Sequence, residues 1–275
     1  MPADMHIHSV LGNPGTEWFL HYEKLAQRFK ELGVTMIRDG GDTEGLCTRY
    51  RSSFEDRGIR YLSPVSGICR EGRYGRCFGR GVRTERETVD MIRELKREGA
   101  DFIKVFVTGF MKTGSYGCTC TDPPCFSNQE LRTIVEEAGE AGMVVMAHVN
   151  TPEEILSAVD AGVLSVEHGY GTTDECIAAM AENGTFWVPT VTPIAALSGE
   201  SDPMKRYLRE QLDAVRRGAA AGVRIVPGSD SAARMVPHAV STLREYEFLG
   251  QCGLTAEQLD ANAALLFERT LSMVK

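Results

Sequence analysis

The chain has 275 residues, 43% of them hydrophobic, with 30 Lys and Arg against 38 Asp and Glu for a formal net charge of −8. No run of basic residues is long enough to neutralise a nucleic-acid backbone or an anionic membrane surface, and no apolar run approaches a bilayer span, so neither nucleic acid nor membrane is an expected partner. Met1-Pro2-Ala3-Asp4 leads straight into a motif, without the charged region and apolar stretch of a signal peptide, which with eight cysteines predicts a cytoplasmic chain with reduced thiols.

In chain order, short β-branched segments alternate with helical patterns, the arrangement that parallel βα units require. The expected strands are Met5–His8, Thr35–Asp39, Tyr61–Ser66, Phe102–Val107, Val144–His148, Ser165–His168, Thr185–Thr190 and Arg224–Asp230. The expected helices are Tyr22–Leu32, Glu85–Glu98, Asn128–Ala141, Pro152–Asp160, Asp174–Glu182, Pro203–Ala221 and His238–Leu249. Ser127 with Glu130 reads as a capping box and Pro152 as a first-turn proline, while Gly33, Gly99, Gly142, Gly162, Gly184 and Gly222 stand between a helix and the next strand. Eight parallel strands close a barrel, and a (β/α)8 TIM barrel typically needs ~250 residues, so residues 1–275 are read as a single α/β domain. The irregular stretches Gly67–Thr84 and Thr108–Ser127 follow strands 3 and 4, on the face where functional loops belong.

Of six histidines, four (His6, His8, His148 and His168) fall at C-terminal ends of expected strands. A lone strand-end histidine is more often a hydrogen-bonded rim residue than a ligand, but four together reverse that reading. His6 and His8, two apart, share a strand face and can chelate one metal. Strand 8 ends in Asp230, a carboxylate able to ligate a metal and take a proton from water, or alternatively to cap the following segment. Lys104 interrupts the apolar run of strand 4; burial would lower its pKa, freeing an amine able to capture carbon dioxide as an anionic carbamate, unless the residue snorkels or is salt-bridged.

The His-x-His of strand 1, the strand-4 lysine, the histidines of strands 5 and 6 and the strand-8 aspartate, in that order, resemble the amidohydrolase superfamily. Within it, Ile103-Lys104-Val105, Thr108-Gly109, Ala147-His148, Val166-Glu167-His168-Gly169 and Gly228-Ser229-Asp230 look most like the prolidase-like and imidazolonepropionase-like branch. The resemblance implies two divalent metals, zinc being the first expectation. His6, His8 and Asp230 would take one, His148 and His168 the other, and carbamylated Lys104 would bridge them. A shared hydroxide would attack an amide-type C–N bond in a peptide, N-acyl amino acid or cyclic amide, with Asp230 passing the proton to the leaving amine. The β-sandwich of many members is not expected here, because His6 stands near the start and the chain ends soon after Asn262–Phe267. The barrel bottom is therefore expected to be exposed and open to homo-oligomerisation.

Two alternatives stay open: a lactonase or esterase on the same centre, and a non-catalytic barrel that keeps metals for structure. Arg38, Tyr170 and Arg234, with Arg70, Arg73 and Lys112, are candidates for holding a carboxylate of a small-molecule substrate. Cys118, Cys120 and Cys125 cluster in one loop but match no standard metal spacing, and are read as loop thiols.

Overall fold

A computed structural model describes residues 2–10, 17–110, 124–199, 202–231 and 236–272, and its strands form a closed parallel barrel. One run comprises β1 (Ala3–Ile7), β2 (Met36–Asp39) and β3 (Arg60–Leu62). The other comprises β4 (Gly67–Arg70), β5 (Gly79–Val82), β6 (Ile103–Phe106), β7 (Val145–Val149), β8 (Ser165–His168), β9 (Phe186–Val188) and β10 (Arg224–Ile225). Backbone hydrogen bonds join the runs at both edges. The Asp101 amide donates to the Ser63 carbonyl at 2.9 Å, and the Met5 amide to the Pro227 carbonyl at 2.9 Å. All eight expected strands are present, and three details differ. The third ends at Leu62 and yields its place against β6 to β4, whose other edge carries β5, so the supposedly irregular Gly67–Thr84 stretch holds two short strands. Strand 8 pairs with β9 only through Arg224–Ile225, since Pro227 has no N–H to donate, although the Asp230 amide still donates to the His6 carbonyl at 2.7 Å.

The seven expected helices are α1 (Trp18–Glu31), α4 (Glu85–Arg97), α5 (Asn128–Glu140), α6 (Pro152–Ala161), α7 (Asp174–Asn183), α9 (Asp202–Ala220) and α10 (Val240–Gln251). Short α2 (Leu46–Arg49), α3 (Ser52–Glu55) and α8 (Val191–Leu197) lie in loops too brief for a periodic signal, and α11 (Ala256–Ser272) ends the described chain. The Ser127–Glu130 capping box forms with both bonds, Pro152 opens α6, and Gly162 and Gly184 close α6 and α7 at φ of 90° and 65°. Outward residues such as Val105, Val145, Val166 and Ile225 pack beneath Ile92, Leu131, Ile155 and Val215 of the helices. Inside the barrel, Met5, Met36, Leu62, Phe102, Met146, Phe186 and Val226 form a second core. Ala263, Leu266 and Phe267 of α11 plug the lower end of that core, which corrects the expectation of an uncovered barrel bottom. No helix among the described residues is long and apolar enough to cross a membrane.

Candidate metal centre

Strict alternation along β1 would put His6 opposite Met5, yet both face the barrel. The register with β2 runs from Asp4 opposite Ile37 to Ile7 opposite Asp39, three residues against two, so one residue is inserted as a bulge. Ala3 and Met5 therefore join the inner core, Ile7 packs outward under α1, and His6 and His8 point into the upper barrel. Space for the rings comes from glycine. A Cβ on Gly40 would meet His8 Cε1 at 2.4 Å, and one on Gly228 would meet His6 Cβ at 2.9 Å and Val188 Cγ1 at 2.4 Å. The Arg38-Asp39-Gly40-Gly41 run thus shapes the floor: Asp39 accepts from the Ser9 and Gly41 amides and the Tyr61 hydroxyl, and His8 Nδ1 reaches the Gly41 carbonyl at 3.4 Å.

His6 Nδ1 donates to Glu167 Oε2 at 2.7 Å, which fixes the tautomer and leaves Nε2 buried without a hydrogen-bond partner. The other Glu167 oxygen accepts from Arg38 Nη2 at 2.7 Å and Ser165 Oγ at 2.5 Å. Arg38 also donates to the Met5 carbonyl and to Ser165 Oγ, and is 1% exposed. All three of its nitrogens are engaged inside the barrel, so Arg38 supports the centre from below instead of meeting a substrate carboxylate.

Asp230 Oδ1 lies 3.7 Å from His6 Nε2 and 3.6 Å from His8 Nε2, and its Oδ2 lies 3.9 Å from His168 Nδ1. One ligand atom each from His6, His8 and Asp230 falls within 4.8 Å of the others, a spacing that suits a single cation. The His168 ring centroid is 4.9 Å from that of His6 and 4.4 Å from that of His148. His168 Nδ1 is held by Thr190 Oγ1 at 2.7 Å, and His148 Nε2 donates to the Gly109 carbonyl at 3.1 Å. Lys104, fully buried on β6, has an Nζ with no hydrogen-bond partner, 5.3 Å from the Phe106 ring centroid. His168, which ends β8, and Thr190 and Asp230, in the segments that follow β9 and β10, adopt φ of 67°, 45° and 48°, conformations costing of order 1–3 kcal/mol each in non-glycine residues.

Electrostatics favours neutral imidazoles and brings the Lys104 amine closer to its neutral form. Burial, reinforced by the Lys104 charge, lowers His8 and His148 to about 3, and burial pushes His6 and His168 well below the usual histidine range. Burial lowers Lys104 to about 8, against the pull of Glu167 and Asp230, and raises Asp230 to about 7 despite Lys104. Deprotonated nitrogens with unused lone pairs are what a cation requires. Two of the buried nitrogens without a hydrogen-bond partner, His6 Nε2 and Lys104 Nζ, belong to this centre, and bound cations would give them the partners they lack.

A cavity of about 300 Å³ adjoins the centre, lined by His8, His148, His168 and Asp230 together with Tyr74, Phe78, Phe106, Phe110, Pro193, Leu197 and Val236. Tyr170 is not among the lining residues; its hydroxyl donates to the Thr190 carbonyl at 3.1 Å and meets Thr190 Oγ1 at 2.9 Å, so it braces His168 through Thr190. Arg70 is committed to the Cys125 and Arg83 carbonyls and to Glu130. Arg234, Lys112, Cys118 and Cys120 lie outside the described residues; Cys125 is buried, 6% exposed. Three acids escaped the sequence reading. Besides Glu167, Asp4 accepts from the Ser229 amide and hydroxyl and from Thr242, tying the end of strand 8 to β1. Glu245 accepts from the Val191 and Thr192 amides at the start of α8.

The profile of the Amidohydrolase family matches residues 3–273. An uncharacterized protein of Mycobacterium tuberculosis is 27% identical over 269 residues, covering 93% of this chain and 69% of its own length. The ochratoxinase of Aspergillus niger is 32% identical over 165 residues, 57% of this chain and 33% of that protein. Its crystal structure superposes with a TM-score of 0.78 at 23% identity, covering 97% of this chain and 71% of that one. A Xaa-Pro dipeptidase with methionine bound in its active site gives a TM-score of 0.80 at 23% identity, covering 99% and 75%.

Proposed function

The chain belongs to the amidohydrolase family, and on that premise we propose that it hydrolyses an amide-type C–N bond in a peptide, N-acyl amino acid or cyclic amide at a centre of two divalent cations. The observation that carries this reading is the convergence of His6 Nε2 and His8 Nε2 on Asp230 Oδ1, at 3.7 and 3.6 Å, with the amine of Lys104 left partnerless nearby. His6, His8 and Asp230 would hold one cation and His148 and His168 the other. Lys104, its neutral amine taking up carbon dioxide with loss of a proton, would serve both as a carbamate. The imidazole-rich set favours zinc. Bound there, the cations supply Lewis acidity, which brings the pKa of water to about 7 and polarises a carbonyl.

The chain's own residues do the rest. Asp230, whose carboxylate lies 3.6–3.7 Å from His6 and His8 Nε2 and lines the cavity, is placed to accept the proton of the attacking water and deliver it to the leaving amine. Glu167 and Thr190 orient the His6 and His168 rings through their Nδ1 atoms, and the aromatic wall limits competing water. A cytoplasmic location and a small-molecule substrate belong to the same reading.

The test is metal analysis alongside turnover of an amide panel by wild type and Lys104→Ala. The reading expects about two equivalents of metal in wild type, and in the variant both lost turnover and reduced occupancy, with a thermal melt confirming that it folds. A folded Lys104→Ala protein retaining full activity would reject the assignment of Lys104, and a folded, metal-free, fully active wild type would reject the centre.

A further inference from the structure

We propose that the substrate carries an uncharged aromatic group on one side of the scissile bond, and that this group fills the cavity beside the centre. The proposal rests on the hydrolase reading above and adds the substrate class to it.

The cavity wall is built from rings. Tyr74 stacks near Phe110 with centroids 6.4 Å apart and meets Phe106 edge-on at 5.9 Å, while Phe78 stacks near Phe106 at 6.3 Å. The same rings reach the centre itself: Phe78 lies 4.1 Å from the His8 ring and Tyr74 lies 4.9 Å from His148. A group held against them is therefore beside the reacting atoms. Pro193 and Leu197 of α8 supply further apolar lining.

The position of Phe106 is fixed by the backbone. Cβ atoms added at Gly67 and Gly75 would meet its ring at 2.4 and 2.5 Å, so glycine at these two positions lets the chain close on it. A volume of about 300 Å³ stands at the small end of the range for small-molecule pockets, about 300–1,000 Å³.

Charge argues the same way. No Lys or Arg is among the described residues lining the cavity, and two of the expected carboxylate holders, Arg38 and Arg70, have their donors occupied elsewhere. A carboxylate entering would lose hydration without gaining a partner on this wall, whereas an aryl group would replace water against ring faces and edges.

The experiment uses the metal-loaded protein and three N-methylamides sharing one leaving amine, the acetyl, succinyl and 2-naphthoyl compounds, with methylamine release as the readout. It adds equilibrium binding of 2-acetonaphthone, an uncharged ketone with no bond to hydrolyse, to wild type, Phe110→Ala and Leu197→Ala. Expected is a kcat/KM for the naphthoyl compound at least about tenfold above the acetyl one, and ketone binding weakened several-fold or more in both variants. Turnover that favours the acetyl or succinyl compound overturns the aromatic assignment and leaves the hydrolase reading standing. Ketone binding that responds to the variants, with no turnover of any of the three amides, sustains the aromatic site and counts against the reaction. Ketone binding absent from wild type, or unchanged in both variants, overturns the site.

Discussion

Replacing Glu167 by Gln should damage stability and metal binding together, and a second substitution separates the two effects. Glu167 is fully buried and divides its oxygens between His6 Nδ1 and the Arg38 guanidinium, each at 2.7 Å. Glutamine keeps the shape and loses the charge, leaving Arg38 as a buried cation without a counter-ion. Breaking a buried pair from one side costs about 3–5 kcal/mol, more than a typical substitution of about 1 kcal/mol. The amide also holds His6 less firmly, and loss of such a support for a ligand imidazole typically lowers metal affinity about 10–100-fold.

Arg38→Met is the companion change. Combined with Glu167→Gln it removes both charges, and the double variant should recover much of the lost stability because no orphan cation remains. Metal affinity should stay low, since His6 still lacks its carboxylate. Denaturant unfolding of the metal-free proteins gives the first quantity, and competition against a chromophoric chelator gives the second. A single Glu167→Gln variant within about 0.5 kcal/mol of wild type and of unchanged affinity would refute the argument. So would a double variant whose metal affinity recovers along with its stability.

Three further outcomes follow from the same geometry. Gly40→Ala should lower metal affinity tenfold or more with the fold intact, because its Cβ would stand 2.4 Å from His8 Cε1 and the ring must turn; a chelator competition matching wild type would contradict this. Gly139→Ala, within α5 where a Cβ meets nothing within 4 Å, should instead stabilise by ~0.5–1 kcal/mol, read as a raised denaturation midpoint. Metal affinity should rise about a hundredfold per pH unit up to about pH 7, about tenfold per unit from there to about pH 8, and then flatten. The sign follows from Asp230, raised to about 7, and Lys104, lowered to about 8: below those values the metal-free site holds a proton on each that metal binding must displace, while His8 and His148, lowered to about 3, are already neutral. Calorimetry from pH 5.5 to 8.5 checks it, and an affinity flat across that range, or a slope of three or more, which would mean titrating imidazoles, defeats it.

How far the sequence was legible follows from which physical rule governed each residue. Lys104 and His148 were readable because β6 and β7 alternate regularly, so an inward polar residue after apolar ones keeps its place. His6 and His8 were assigned to a shared face correctly, but the bulge that puts Met5 inward beside them has no local signature. Glu167 was passed over because alternation places it opposite His168. The φ of 67° at His168 breaks that alternation, so neighbouring residues both reach the site. Arg38 could be read either as a carboxylate holder or as structural, because an arginine at a strand end gives no sign of whether it faces solvent or a buried carboxylate 129 positions away. Tyr170 carried the same ambiguity: the residue that claims its hydroxyl is Thr190, on another element.

The distribution of strain explains why buried acids outside the ligand set surround this centre. Three consecutive barrel strands end in, or lead into, non-glycine residues at positive φ, His168, Thr190 and Asp230, and each conformation persists only where its neighbours over-determine it. Thr190 is engaged by His168 Nδ1 and the Tyr170 hydroxyl, and the next two residues give their amides to Glu245. Asp230 follows Ser229, which Asp4 holds through both its amide and its hydroxyl, and Asp4 is itself anchored by Thr242 of α10. Burial raises Asp4 to about 6 and Glu245 to about 7, so each acid is kept in a place that disfavours its charge. A barrel selected for stability alone would replace such acids with apolar residues and relax the three strand ends. That they remain, each tied to a residue beside one of these strained positions, argues that the fold gives up stability to hold these side chains at a fixed distance from one another.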